Sequence, residues 1–173
     1  MPIKITVVSG NPRPGSRTLR VAEAVAARLE ADLGGERTAP IEVSAFAGEL
    51  FAAEHPAADA ALAELAASDL AVIATPSYKG AYTGLLKSFL DLYPAGALSA
   101  VTVVPVVVAG APAHTLSTDL QLQPVLRELG AALPTASLTL TEKQLDDLDG
   151  VVDRWATGGA VDRLARLTAA PVG

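Results

Sequence analysis

Several residue types are scarce in this sequence, and each shortage excludes a kind of chemistry. Cysteine is absent from the 173 residues, which excludes disulfides and thiol chemistry. The two histidines, His55 and His114, stand far apart without ligand spacing around them, so no metal site is predicted. Runs of basic residues are also missing and the net charge is −6, which argues against nucleic acid as a partner.

Long hydrophobic runs are missing as well. No apolar segment approaches the roughly 18 to 20 residues that a bilayer-spanning helix needs, so no membrane association is expected. The first residues lead directly into a strand-length segment and lack the pattern of a secretion signal. Together with the absence of cysteine, these features lead us to expect a cytoplasmic protein.

What the sequence does contain is a regular alternation of strands and helices. The strands are nearly all apolar, which is typical of strands buried on both faces of a parallel sheet. The pattern predicts an α/β fold, a flavodoxin-like doubly wound five-stranded parallel sheet of order 2-1-3-4-5 with helices on both faces. Strands are predicted at 3–8, 41–46, 70–75, 101–109 and 136–141, and helices from Thr18 to before Gly34, at 57–67, 85–93 and 115–132, and within 142–168.

Length and composition predict one domain over residues 1–173, because half of the residues are apolar and no linker or repeat divides the chain. The tail 169–173 is expected to be loose. Pro105 lies inside the fourth predicted strand, where a residue without an N–H donor implies an irregularity or an edge position.

In such a sheet, ligands bind at the carboxyl ends of the strands, and three loops are predicted to meet there. They are residues 9–18, 76–84 and 110–115, and all three have unusual compositions. Their coincidence at one edge is the main indication of a binding site.

The first loop, "SGNPRPGSRT", combines hydroxyl and guanidinium donors at the predicted start of a helix. The free N–H groups of a helix N-terminus and its dipole favour a bound phosphate. Ser9, Ser16 and Thr18 add hydroxyl donors, and Arg13 or Arg17 can add a charge-assisted pair. The alternative is an ordinary Pro/Gly turn in which Ser16 or Thr18 caps the helix. The loop matches neither the Walker pattern nor Gly-x-Gly-x-x-Gly.

The second loop begins at Thr75-Pro76 and offers several groups around one point. Ser77, Tyr78, Lys79 and Gly80 supply a hydroxyl, a ring, an ammonium and exposed backbone, which suits a planar heterocycle such as an isoalloxazine. Two of the three tyrosines of the chain fall in this loop, at positions 78 and 82. The alternative is that both rings close the start of the next helix and pack on the domain.

Three motifs occur together in an order that resembles a known family. "GNPRPGSRT", "TPSYKGAYTGLLKSFLDL" and "AHTLSTDLQLQPVLREL" resemble the NAD(P)H-dependent FMN reductases, above all the flavin reductase components of two-component alkanesulfonate monooxygenases. The similarity extends from the first strand to about residue 133, and the middle motif is the most specific. FMN and NAD(P)H are therefore the implied cofactors, and an FMNH2-dependent monooxygenase is an implied partner.

The resemblance also implies roles for individual residues. The first loop would grip the FMN phosphate through Ser9, Arg13, Ser16, Arg17 and Thr18, with the choice between the two arginines open. The second loop, Pro76 to Gly80, would run along the flavin ring, with backbone N–H groups at its pyrimidine edge.

Gly110 and His114 would border the ring on the far side. No catalytic acid or base is assigned, because the hydride chemistry lies in the cofactor and a lone histidine at a helix start, such as His114, is more often a cap or a pocket wall. Lys79 could attract the phosphate of NADPH, stabilise reduced flavin or remain a solvated lysine.

The family assembles as dimers or tetramers, and the segment "LLKSFLDLY" at 85–93 has more apolar surface than one helix face requires. One departure concerns Leu120, which follows the matching Asp119 where several monooxygenase-linked reductases have an aromatic residue. This keeps two alternatives open. One is a reductase that retains FMN and reduces a quinone, azo dye or metal oxyanion, and the other is a flavodoxin-like electron carrier.

Overall fold

The computed structural model describes residues 2–168, so the predicted loose tail 169–173 lies outside the described residues. The described strands are β1 (Lys4–Ser9), β2 (Glu36–Arg37), β3 (Ile41–Glu42), β4 (Leu70–Pro76), β5 (Thr102–Ala109) and β6 (Leu138–Thr141). The helices are α1 (Arg17–Leu33), α2 (Pro56–Ala66), α3 (Gly84–Leu90), α4 (Pro112–Glu128), α5 (Leu148–Trp155) and α6 (Val161–Thr168).

All strand pairs of the sheet are parallel, as predicted. The order is β2-β1-β4-β5-β6, and β3 also pairs with β1. Since β2 and β3 lie beside the two ends of β1, this is the predicted order with its second strand divided into two short pieces. The α/β class and the doubly wound parallel sheet are thereby confirmed, with six strands in place of five.

The second predicted strand, 41–46, was wrong beyond its first two residues. Only Ile41–Glu42 pairs with β1, and Val43–Glu49 forms 3₁₀ turns. The ladder ends because β1 ends opposite, at Ser9. Beyond that point the segment is held by side-chain packing and not by strand pairing. Val43 is fully buried, and the centroids of the Phe46 and Phe89 rings are 5.5 Å apart. Tertiary packing thus overrides the strand propensity of this segment.

Two apolar layers cover the faces of the sheet. One layer joins β1, β4, β5 and β6 to α1, α5 and α6, and the other joins the opposite faces of β1, β4 and β5 to α2, α3 and α4. Strand β4 is buried at every position, which agrees with its continuous apolar sequence. This double burial holds the carboxyl ends of the strands in place. None of the helices within residues 2–168 has the length and apolar character needed to cross a bilayer.

Pro105 sits in β5 opposite Ile73 without breaking that ladder. The N–H of Val103 donates to the carbonyl of Ala132, on the side of β5 away from β4, and Pro105 faces the same side because it is two residues further on. Strand β6 pairs with β5 only from Val106 onward. Pro105 therefore lacks its N–H on the side of β5 where the ladder with β6 has not yet begun, which is a local edge of the sheet.

Candidate functional site

A cleft of about 390 Å³ opens at the carboxyl ends of β1, β4 and β5. The three predicted loops meet in it, and the segment after β6 closes one wall. Its lining residues are Asn11, Arg13, Pro14, Gly15, Ser16, Arg17, Thr18, Pro76, Ser77, Tyr78, Val108, Ala109, Gly110 and Glu142.

The first loop delivers the N-terminus of α1 to the cleft. Ser16 is the N-cap residue, and its Oγ accepts the N–H of Leu19 at 3.2 Å. The N–H of Arg20 donates to the Ser16 carbonyl, whereas the N–H groups of Arg17 and Thr18 have no partner within residues 2–168. The capping alternative and the phosphate prediction are compatible here, because the capping oxygen keeps its own O–H as a donor.

Asn11 holds the first loop in shape. Its Oδ1 accepts the N–H of Arg13 at 2.9 Å, and its Nδ2 donates to Thr18 Oγ1 at 3.0 Å. An asparagine that bonds to the backbone two residues on is a common turn device. The buried amide therefore joins the start of the loop to the first turn of α1.

The two arginines of the first loop have different surroundings. The Arg17 guanidinium is paired with the Glu142 carboxylate at 2.8 Å. Arg13 lines the cleft and has no carboxylate partner among the residues that the structure describes. A second carboxylate, that of Glu42, accepts the N–H of Gly15 at 2.8 Å.

The second loop contains a tight turn at Tyr78–Ala81. The backbones of Tyr78 and Ala81 bond to each other, and the central residues Lys79 and Gly80 have φ values of 56° and 77°. Positive φ at both positions is the signature of a type I′ turn, which glycine adopts easily and lysine does not. The strained Lys79 is held there by its surroundings.

Helix α4 supplies those surroundings. The Gly80 carbonyl accepts hydrogen bonds from Ser117 Oγ at 2.7 Å and from Gln121 Nε2 at 3.0 Å. Thr118 Oγ1 donates to Ser77 Oγ at 2.7 Å, which leaves the Ser77 proton free. The motif "STDLQ" of the third segment thus positions the second loop.

The structure places eight of the predicted site residues in the cleft, and four lie outside its lining. The eight are Arg13, Ser16, Arg17, Thr18, Pro76, Ser77, Tyr78 and Gly110. Ser9 is buried at the end of β1 with an unpartnered Oγ. Lys79 and Gly80 form the tip of the turn. His114 lies in the exposed first turn of α4, because that helix begins at Pro112 and not at the predicted Thr115.

The sequence interpretation missed several lining residues. Val108 and Ala109 contribute from the end of β5, which no polar pattern marks. Glu142 follows β6 directly, so the rule that placed the other loops at this edge could have found it. Asn11 stood within the quoted first loop, two residues before Arg13, at the spacing of a side-chain turn.

Comparison with known proteins decides the family. The model of the NADPH-dependent FMN reductase family matches residues 3–144. The chain belongs to this family. The FMN reductase (NADPH) of Escherichia coli strain K12 is 33% identical over 137 residues, which cover 75% of this chain and 68% of the relative. The NADH-dependent FMN reductase SfnF of Pseudomonas fluorescens is 34% identical over 84% of this chain and 80% of its own length.

Solved structures give the same result for the FMN reductase fold. An NADH:FMN oxidoreductase (EMOB) in its apo form superposes with a TM-score of 0.76 and 28% identity, covering 90% of this chain and 89% of that one. An oxidoreductase from Corynebacterium diphtheriae has a TM-score of 0.78 and 26% identity, with 96% of each chain covered. The family predicted from the three motifs is confirmed.

Proposed function

We propose that this chain binds FMN across the cleft and reduces it with NAD(P)H. The observation that carries the proposal is the meeting of an anion-binding helix N-terminus with two loops suited to a flat ring. Bound FMN would supply the ring that takes up a hydride from the reduced nicotinamide together with one proton, leaving the oxidised nucleotide. The protein's part is to bind, align and shield the reactants.

The phosphate would be held by the first loop. The unpartnered N–H groups of Arg17 and Thr18 supply backbone donors, and Ser16 adds a hydroxyl. Between the two arginines, Arg13 is the better candidate for the ionic contact, because Arg17 is already paired with Glu142. Together these groups offer a dianionic phosphate several hydrogen bonds and one positive charge that no carboxylate in the described part of the chain pairs.

The ring would lie against the second and third loops. Ser77 offers a free hydroxyl proton, and Tyr78 offers a half-exposed ring, at 46% exposure, to one side of the cleft. Gly110 borders the other side. The space beside its Cα is open, since a Cβ added there meets no atom within 4 Å. The other four predicted residues lie outside this lining and belong to the proposed site only through their neighbours in the loops: Ser9, Lys79, Gly80 and His114.

Steady-state kinetics with an arginine variant test the proposal. Wild-type protein should oxidise NADPH or NADH only when free FMN is added. Arg13→Ala should raise the KM for FMN about 10-fold or more, the loss expected for one charge-assisted hydrogen bond, with little change in kcat. Arg127→Ala, an exposed arginine near the C-terminus of α4, is the matched control. No oxidation of either nucleotide with FMN present would overturn the proposal.

The retained-FMN alternative rests on Leu120, which is 62% exposed on α4 and lies outside the cleft lining. A reductase of that kind would stay yellow through dialysis, and its rate of NAD(P)H oxidation would not change when FMN is added.

We also propose that residues 1–173 act as one domain, that the chain forms a homodimer or homotetramer, and that it supplies reduced flavin to a monooxygenase in the cytoplasm. Mixing the purified reductase with such a monooxygenase and measuring coupled product formation tests the last point.

A further inference from the structure

Two carboxylates stand beside the donors of the first loop. Glu142 binds the Arg17 guanidinium at the wall of the cleft, and both side chains are about half exposed, at 49% and 61%. Glu42, at the end of β3, accepts the N–H of Gly15 in the same loop. Each carboxylate therefore occupies a donor that an incoming phosphate could use. A site built only for tight phosphate binding would not need negative charge at these two places.

We infer that Glu42 and Glu142 are specificity-determining residues that weaken the grip on the FMN phosphate and so keep FMN an exchanging substrate. The inference rests on the proposed function. Its basis is charge: a dianion entering the loop meets two fixed negative charges, and it must share or displace them to reach the Arg17 guanidinium and the Gly15 N–H.

The two glutamates contact the first loop from different parts of the chain. Glu42 follows the short pairing of β3 with β1, and Glu142 directly follows β6, so the two lie on segments that the sheet holds in place. Their effect should act on the phosphate and not on the ring, because the ring would lie against the second and third loops. Riboflavin, which has the ring without the phosphate, separates the two effects.

Isosteric glutamine variants isolate the charge. Glu42→Gln and Glu142→Gln keep an oxygen acceptor for the Gly15 N–H and for Arg17, so the loop contacts can persist while the charge is lost. The matched control is Glu64→Gln. Glu64 is also paired with a cation, Lys4 at 3.0 Å, but at the amino end of β1, on the opposite edge of the sheet.

The measurement is the Kd of apo-protein for FMN and for riboflavin, by quenching of flavin fluorescence. Each variant should bind FMN roughly 3- to 10-fold more tightly than wild type at low ionic strength, with riboflavin binding unchanged. The gain should shrink as salt rises from about 20 mM to about 500 mM, because screening shortens the range of the repulsion. The double variant should retain FMN through dialysis where wild type releases it. Glu64→Gln should match wild type throughout.

Each other outcome has a distinct meaning. Unchanged or weaker FMN binding in both glutamine variants, with wild type still preferring FMN over riboflavin, overturns this inference and leaves the proposed function standing. Equal tightening for FMN and riboflavin also overturns it, since the effect would then not concern the phosphate. A wild-type protein that binds FMN no better than riboflavin overturns the inference together with the phosphate site of the proposed function.

Discussion

At the scale of single residues, Thr83 joins the two loops that carry most of the cleft. Its Oγ1 donates to the Gly10 carbonyl at 2.6 Å and accepts the N–H of Leu86 at 3.1 Å as the N-cap of α3. Gly10 must lie close to this helix, since a Cβ added to it would stand 2.6 Å from Leu86 Cβ. One buried hydroxyl therefore fixes the spacing between the first loop and the second.

We predict that Thr83→Val lowers the free energy of unfolding by about 1 to 3 kcal/mol, because it removes a helix cap and leaves a buried carbonyl without its donor. Urea unfolding followed by circular dichroism measures the change. Thr83→Ser keeps the hydroxyl and should lose less than half as much. A loss in Thr83→Val no larger than that in Thr83→Ser would contradict the role of the hydroxyl, because valine keeps the methyl group and lacks only the hydroxyl.

Tyr93 gives the fold a specific dependence on alkaline pH. Its hydroxyl donates to the Leu62 carbonyl at 2.5 Å, and burial raises the pKa of the Tyr93 phenol above its ordinary value. The unfolded chain therefore releases this proton at a lower pH than the native protein does. Its stabilising contribution is complete below the unfolded pKa near 10 and is lost as the pH rises toward the raised folded value.

The expected result is a change in the difference between two unfolding curves. From about pH 7 to 9, the stability of wild type relative to Tyr93→Phe should be constant. Above about pH 10 it should fall, by at most about 1.4 kcal/mol per pH unit, the limit for one proton. Urea unfolding of both proteins at each pH supplies the difference. A constant difference up to about pH 11 would contradict the assignment.

For single residues, the sequence predicted which side chains line the cleft better than it predicted their hydrogen-bond and ion-pair partners. Arg13, Ser16 and Thr18 line the cleft as the sequence predicted, because a strand-to-helix junction in a parallel sheet lies at the edge formed by the carboxyl ends of the strands. The pairing of Arg17 with Glu142 could not be predicted, because it joins side chains 125 positions apart through the tertiary fold. The burial of Ser9 Oγ likewise depends on packing around the end of β1.

At the scale of elements, α4 acts as the support of the second loop. Ser117 and Gln121 both donate to the Gly80 carbonyl and hold a turn whose Lys79 has a positive φ. Both donors lie one helical turn apart on the same face. The loop that would contact the flavin ring is thus held by a helix that contributes none of the cleft lining.

The double variant Ser117→Ala/Gln121→Ala should weaken FMN binding by roughly 3- to 10-fold, because the turn loses two hydrogen bonds of about 1 kcal/mol each that orient Ser77 and Tyr78. Fluorescence titration measures the Kd. Gln123→Ala is the control, since that amide on α4 donates to Asp119 of the same helix and to Ser137 just before β6, and not to the turn. Equal weakening in the control would indicate a general loss of helix stability.

Element boundaries followed the sequence where apolar runs and caps were clear, and departed from it elsewhere. Strand β4 and the end of α1 before Gly34 agree with expectation; Gly34 has a φ of 72° and closes the helix. The segment after Ile41–Glu42 does not, since its partner strand ends at Ser9. A sequence pattern indicates the propensity to form a strand, but the length of the hydrogen-bonded ladder depends on where the neighbouring strand ends.

At the scale of the whole molecule, exposed apolar residues indicate where the proposed oligomer would form its interface. The predicted excess at 85–93 is explained by the core instead, because Leu86, Phe89 and Leu90 are buried. Two exposed leucines, Leu116 and Leu120, at 61% and 62%, lie four residues apart on α4. Two such side chains on one helix face are the better candidates for the proposed oligomer interface.

We expect Leu120→Glu to shift the protein toward the monomer mass of 17.6 kDa in light scattering coupled to size exclusion, because a charge in an apolar interface is unfavourable. Leu167→Glu is the control, since that leucine is 50% exposed on α6, a helix that packs on the other face of the sheet. A wild-type protein that is already monomeric would contradict the proposed oligomer.

The overall architecture was the most predictable level, because alternating buried strands and helices allow few arrangements. The order of β1, β4, β5 and β6 followed directly from that alternation. The position of the cleft followed in turn, since the carboxyl ends of parallel strands share one edge. The negative charges placed around it by Glu42 and Glu142 did not follow, because no local pattern reports what faces a loop from elsewhere in the fold.

The central claim is that the N-terminus of α1 holds the FMN phosphate while the second and third loops hold the ring. A crystal structure of the protein at FMN saturation tests this arrangement. We predict phosphate oxygens within about 3 Å of the backbone nitrogens of Arg17 and Thr18, with the ring between Tyr78 and Gly110. Flavin density at another surface, or a phosphate turned away from the first loop, would contradict it.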